Sequence, residues 1–155
     1  MEKIASFRVN HLSLLPGLYV SRVDRIGAEA VTTFDLRMTA PNREPVLSTG
    51  AIHAVEHLGA TYFRNHPDWK SRVIYFGPMG CRTGFYLLLA GELAPSDVLE
   101  LVRGMLRFVE EFEGSIPGAS ARDCGNFPDM DLDAAREIAK RYRAELRSER
   151  VVYPL

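Results

Sequence analysis

His53-Ala54-Val55-Glu56-His57 sets two imidazoles and a carboxylate within a little over one helical turn. At about 100° per residue, His57 falls about 40° from His53 and Glu56 about 60° to the other side. All three share one sector of a helix, where two imidazoles can hold a metal ion and the carboxylate can move protons beside it. Paired histidines at i and i+4 often arise by chance. An acid directly before the second histidine makes the inverted zinc motif HxxEH. Without further residues, the same pattern also describes a polar helix face carrying two solvated histidines.

A two-histidine site needs a third ligand. Cys124, in Asp123-Cys124-Gly125-Asn126, offers a soft thiolate on a glycine-bearing loop. It would leave a fourth position open, as catalytic centres do. Asp129, Asp131 and Asp133 are competing donors, and a buried free thiol is the competing fate for Cys124. Cys81 lies in Gly80-Cys81-Arg82-Thr83-Gly84. Arg82 and a nearby cation would favour a thiolate there, suited to a nucleophile or an acid/base group, and a structural loop cysteine fits the sequence equally well. The loop lacks the GK[ST] ending of a phosphate-binding turn, so nucleotide binding has little support. Arg37 suits a polar pocket or the neutralisation of a carboxylate, or simply a surface salt bridge with Asp35. Ser6 and His11 carry no signal by themselves, and His66 before Pro67 reads as a solvated helix end.

The elements that must position these groups follow from periodicity. Phe34, Leu36 and Met38 alternate with Thr33, Asp35, Arg37 and Thr39. This predicts a strand over 31–39 with one face on a core and one polar face. Ser48 or Thr49 caps a helix to about Asn65, with Ile52, Val55, Gly59, Tyr62 and Phe63 on an arc partly opposite the histidines. Strands are predicted over 72–76 and 84–90, joined by the Gly- and Pro-rich stretch 77–83. Ser96 and Asp97 open a helix with apolar residues at i, i+3, i+4 and i+7 from Val98 to Phe112, closed by Gly114. A last helix spans about 132–147, with Leu132, Ala135, Ile138, Ala139 and Tyr142 inward. The expected fold class is α+β, a single domain over 1–155 with a mainly antiparallel sheet covered by helices on one face.

Composition narrows the function classes. The chain has 155 residues, 46% hydrophobic and 25% charged, with a net charge of −1, so a polyanionic partner such as nucleic acid is not expected. Residues 1–10 include Glu2, Lys3 and Arg8 and lack the apolar run of a signal peptide. The longest apolar stretch, Phe85 to Ala90, is too short to cross a bilayer. Two cysteines and no sign of secretion predict a reduced, cytoplasmic protein whose thiols are chemical rather than structural.

Several blocks together resemble the LuxS family of S-ribosylhomocysteine lyases. They are Ser6-Phe7 with His11, then Phe34-Asp35-Leu36-Arg37 before Pro41-Asn42, and Ile52-His53-Ala54-Val55-Glu56-His57-Leu58. Next come Gly77-Pro78-Met79-Gly80-Cys81-Arg82-Thr83-Gly84-Phe85-Tyr86 and Cys124-Gly125-Asn126 leading to Asp131-Leu132. HxxEH alone is modest evidence, whereas HxxEH, PMGCRTG and CGN in this order are highly specific. The resemblance implies that His53, His57 and Cys124 bind a divalent ion, Fe(II) with zinc or cobalt as substitutes. It implies Glu56 and Cys81 as acid/base residues and Ser6, His11 and Arg37 as substrate-binding residues. It also implies an α+β homodimer with shared active sites at the interface. Some members carry an acid six residues before the reactive cysteine, where this chain has Tyr75, so no role transfers to that position.

The chemistry such a family performs fits these residues. Cleaving S-ribosylhomocysteine without redox requires moving a carbonyl from C1 to C2 and then to C3, which acidifies the proton at C4. β-Elimination then expels homocysteine and leaves 4,5-dihydroxy-2,3-pentanedione, the precursor of autoinducer-2. Each shift needs a Lewis acid and a base that returns its proton to the adjacent carbon. The rival reading is an HxxEH metallopeptidase-like hydrolase, but those enzymes use a glutamate as third ligand and are longer chains. No glutamate lies between Glu113 and Glu137 here. Peptide deformylase also pairs two histidines and a cysteine, with HExxH and a preceding cysteine. A metal-binding module without catalysis would need neither Glu56 nor Cys81.

Overall fold

Alternation builds the sheet, and a bulge hides one of its strands. The computed structural model describes residues 2–154. Its elements are α1 (Ala5–Arg8), β1 (Gly17–Ile26), β2 (Glu29–Arg37), α2 (Thr49–Asn65), β3 (Val73–Pro78), β4 (Gly84–Ala90), α3 (Pro95–Glu111) and α4 (Leu132–Glu145). Short 3-10 turns lie at Lys70–Arg72 and Leu146–Ser148. The four strands form one antiparallel sheet in the order β1-β2-β4-β3.

Phe34 and Leu36 of β2 pair with Leu87 and Phe85 of β4. With Leu18 and Leu89 they meet Leu58 and Phe63 of α2, Val102 and Met105 of α3, and Ala139 and Tyr142 of α4 in one continuous core. Burying each of these large side chains contributes roughly 1.5–3 kcal/mol, so the apolar stripes of α2, α3 and α4 are held to the same face of the sheet. The architecture is therefore the expected α+β one. Gly59 sets how closely α2 approaches β3, because a Cβ there would fall 2.4 Å from the Phe76 ring.

β1 escapes a sequence reading that begins at Val31. Its register shifts between Val20 and Arg22, and the extra residue destroys the period-2 pattern on which strand prediction depends. The usable signal was its turn. Ile26 pairs directly with Glu29 across a two-residue connection, with Gly27 at φ 63°, a short hairpin loop of the kind glycine serves.

Element ends also shift. α3 begins at Pro95, where a missing N–H costs nothing, and the Asp97 carboxylate accepts the Ala94 N–H at 2.8 Å from inside the first turn. It ends at Glu111, ahead of Gly114. β2 stops at Arg37, but Met38 and Thr39 still donate their N–H groups to the Thr83 carbonyl.

The polar face of β2 departs most from expectation. Asp35 and Arg37 are 1% and 4% exposed, sealed on the side of the sheet away from α2, α3 and α4. Their ion pair, with Arg37 Nη2 2.6 Å from Asp35 Oδ2, is buried rather than superficial.

Candidate functional site

Ser48 starts α2, its side chain accepting the Ala51 N–H at 3.3 Å. Ala54, Val55, Leu58 and Phe63 hold the helix on the core. This leaves His53, Glu56 and His57 half-buried on its flank, the sector that their spacing dictates. The loop from 117 to 131 packs against that flank. Its far end is tied to the start of α2, since Asp131 donates its N–H to the Gly50 carbonyl at 3.0 Å.

The loop fixes both rings. His53 Nδ1 lies 2.9 Å from the Asp129 carbonyl, and His57 Nδ1 lies 2.7 Å from the Pro117 carbonyl. A carbonyl oxygen only accepts, so each Nδ1 carries the proton and each Nε2 presents a lone pair. Gly118, at φ +73°, permits this approach, since a Cβ there would sit 3.2 Å from His57 Nδ1. The Cys124 Sγ lies 3.3 Å from His53 Nε2 and accepts the Asn126 N–H at 3.5 Å.

Among the described residues, His53, His57 and Cys124 form the cluster able to hold a metal, their ligand atoms all within 4.8 Å of one another. Two oriented imidazoles and a thiol suit a divalent ion and leave a coordination position for water or substrate. The acidic alternatives are engaged elsewhere. Asp131 caps α4 through the Ala134 N–H, Asp133 pairs with Arg136, and the Asp129 carboxylate accepts from Thr49.

Glu56 and His57 line an open cleft with Ala60, Thr61, Phe76, Pro117 and Gly118. No hydrogen bond or ion pair reaches the Glu56 carboxylate among the described residues.

A second cavity, of about 220 Å³, lies against the other face of the sheet. Ser6, His11, Arg37 and Cys81 line it, together with Asp35, Tyr86 and Tyr153. Cys81 Sγ is 3.1 Å from Thr83 Oγ1 and 4.0 Å from Arg37 Nη1. The cation beside this thiol is thus Arg37, and the Arg82 side chain makes no hydrogen bond to it. Arg82 instead serves the turn at φ 57°, its carbonyl accepting the Leu47 N–H.

Burial works against the Arg37 charge, but the Asp35 carboxylate and its hydrogen bonds more than offset this and hold the guanidinium above its ordinary range. Burial pushes the Tyr86 phenol up, with the Asp35 charge adding to it. Tyr153 is raised furthest above its ordinary value among the partly buried phenols, by burial, by the Asp35 charge and by its hydrogen bond to that carboxylate.

The structure thus brings the sequence-selected residues together in two groups. His53, His57, Cys124 and Glu56 lie in the helical layer. Ser6, His11, Arg37 and Cys81 lie in the cavity across the sheet. Sequence reasoning missed Tyr86 and Tyr153 in that cavity, and the buried Thr83 hydroxyl beside Cys81 and Arg37. It also missed the Pro117 and Asp129 carbonyls, which as backbone groups leave no residue-type signal.

A family model described as S-Ribosylhomocysteinase (LuxS) matches residues 4–152. The chain belongs to the LuxS family. It is 53% identical over 157 residues to the S-ribosylhomocysteine lyase of Clostridium acetobutylicum, with 99% of both chains covered. It is 52% identical to that of Finegoldia magna at the same coverage. The lyase of Borrelia garinii is 43% identical, over 99% of this chain and all of its own. As a LuxS member this chain is read as a carbon–sulfur lyase, and the metallopeptidase reading loses its footing. No helix among the described residues is long and apolar enough to cross a membrane.

Proposed function

We propose that this protein cleaves S-ribosylhomocysteine to homocysteine and 4,5-dihydroxy-2,3-pentanedione, in sites completed by two copies of one catalytic domain spanning 1–155. One observation carries the reading: two carbonyl-oriented histidines and a thiol converge beside a glutamate unpaired among the described residues, in a chain of this family.

In this reading His53, His57 and Cys124 hold the ion, Fe(II) in the cell, with zinc or cobalt able to replace it. When bound, it supplies Lewis acidity at the sugar's oxygens. Ser6 and His11 hold the open-chain sugar by its hydroxyls, and Arg37 anchors the cavity floor. Glu56 takes a carbon-bound proton on one side of the sugar and returns it to the neighbouring carbon. Cys81 does the same on the other side, its thiolate supported by the Thr83 hydroxyl and the Arg37 guanidinium. Two such transfers move the carbonyl from C1 to C3. Removal of the C4 proton then drives the C5–sulfur electron pair onto the leaving homocysteine thiolate.

The separation of the two groups supports a shared site. The cleft of Glu56 and His57 does not include Cys81, and the cavity of Cys81 includes none of His53, His57 and Cys124. A single chain therefore offers its two acid/base residues to different spaces. Pairing one copy's cavity with its partner's metal cluster puts a thiol and a carboxylate on opposite sides of one sugar. Exposed Ile4, Phe7 and Leu12 in the N-terminal segment, between 58% and 77% accessible, are suited to such a contact.

We place the enzyme in the cytoplasm, where it recycles a by-product of methyl transfer and releases the precursor of the quorum-sensing signal autoinducer-2. The test is thiol release from S-ribosylhomocysteine by the purified, metal-loaded protein, with a peptide substrate as control. Peptide cleavage without thiol release would replace the lyase with a hydrolase.

A further inference from the structure

Tyr153 lies one residue past the stretch matched by the family model, yet its side chain reaches into the cavity of Cys81. Its hydroxyl donates to Asp35 Oδ2 at 2.8 Å, across 118 positions of sequence. The ring stacks on Tyr19, with centroids 4.7 Å apart and planes 15° from parallel. The tail that delivers it is pinned to the start of β1. The Leu18 N–H donates to the Arg150 carbonyl at 3.0 Å, and Arg150 Nε donates to the Pro16 carbonyl at 2.7 Å. A ring held by stacking and by an anchored backbone places its hydroxyl at a fixed point.

Asp35 is the junction. Its Oδ1 accepts Arg37 Nε at 3.1 Å, and its Oδ2 accepts both Arg37 Nη2 at 2.6 Å and Tyr153. The remaining arm of the guanidinium, Nη1, donates to Thr83 Oγ1 at 2.6 Å and lies 4.0 Å from Cys81 Sγ. One rigid fork therefore divides its charge between a carboxylate on one side and the hydroxyl–thiol pair on the other.

We propose that Tyr153 is a positioning residue for the Cys81 thiol, acting through Asp35 and Arg37, so that the C-terminal tail is a working part of the cavity. This rests on the reading of Cys81 as an acid/base group. The phenol hydrogen bond neutralises part of the Asp35 charge and leaves more of the Arg37 charge to act toward Thr83 and Cys81. Without it, Asp35 draws the guanidinium more strongly to itself and the sulfur loses part of its support. Burial and the Asp35 charge keep the phenol protonated, so it remains a donor across the working pH range. The charged and titratable groups around the thiol are Arg37 and Asp35 of β2, Tyr86 of β4, His11 of the N-terminal segment and Tyr153 itself, with Arg82 next in sequence.

The test compares Tyr153→Phe with Tyr153→Ala in the metal-loaded full chain. Two readouts are taken: iodoacetamide alkylation of Cys81, resolved from Cys124 by peptide mass, and kcat and KM for S-ribosylhomocysteine. Phenylalanine keeps the stack on Tyr19 and loses the hydroxyl, with its bond to Asp35 and its contact with Ser21. It should slow Cys81 alkylation at pH 7 by roughly 3- to 10-fold, the worth of one such bond, with the deficit closing as pH rises. The value of kcat should fall by a similar factor, with KM changing less. Alkylation is read well below both variants' melting temperatures, so a change in stability does not enter. If Tyr153 merely plugs the cavity, Tyr153→Phe will match wild type in alkylation and kcat, with only Tyr153→Ala impaired; that result overturns the proposal. A wild-type protein without lyase activity would refute the functional reading, while the alkylation comparison would still decide the role of Tyr153.

Discussion

The Cys124 sulfur lies 3.3 Å from Nε2 of His53, although 71 residues separate them in sequence. That contact joins a helix to an irregular loop, and the two His–carbonyl bonds hold the same pair of segments together. Replacing Cys124 with alanine should remove most of the bound ion, measured by elemental analysis after gel filtration, and abolish turnover. Full metal content with normal activity would show that another residue completes the site.

Glu56 sits beside the ligands with no hydrogen-bond or ion-pair partner among the described residues. Glu56→Gln should keep metal content and substrate binding while lowering turnover by at least ~10²-fold, a typical general-base contribution. Retention of most of the turnover would reject the proton-carrier role.

Cys81 distinguishes a lyase from a hydrolase that works through metal-bound water alone. Cys81→Ser should retain the ion and release almost no homocysteine, because a hydroxyl is a far weaker base at neutral pH. Near wild-type release would end the two-base scheme while leaving the metal site intact.

Shared sites make a sharper forecast. Mixing His11→Ala chains with Glu56→Gln chains should recover up to roughly a quarter of wild-type activity. About half the dimers are hybrid, and one of their two sites is intact. Absence of complementation despite demonstrated subunit exchange would place each site within one chain.

Alkaline stability should be set by the phenols. Tyr19, Tyr62, Tyr86, Tyr142 and Tyr153 all lie above the ordinary value of 10.0, chiefly through burial. A folded-state value above the unfolded one contributes stability that is complete below about pH 10. It is lost as pH rises through the folded value. Urea midpoints should therefore be insensitive to these groups near neutrality and fall steeply above pH 10. Tyrosinate absorbance from the buried rings should appear together with unfolding; its appearance in the native protein would contradict the burial argument.

Local chemistry determined much of this protein before any fold was known. The spacing of His53, Glu56 and His57 places them on one helix sector whatever that helix packs against, because 3.6 residues per turn is a property of the backbone. The alternation through Phe34 and Leu36 and the i, i+3, i+4 pattern of α3 likewise name their buried faces. β1 was illegible because a bulge removes the period on which such reading depends. The rest belongs to tertiary structure. Whether Cys124 or an aspartate joins the histidines depends on a loop path, and the carbonyls that orient both rings carry no side-chain signature. The polar face of β2 reads as solvent-facing until the N-terminal segment and the C-terminal tail are seen to cover it. Only chain crossing brings Tyr153 onto Asp35, and only the sheet between them puts Cys81 and Glu56 on different sides, because contacts across 118 residues of sequence leave no periodicity to read.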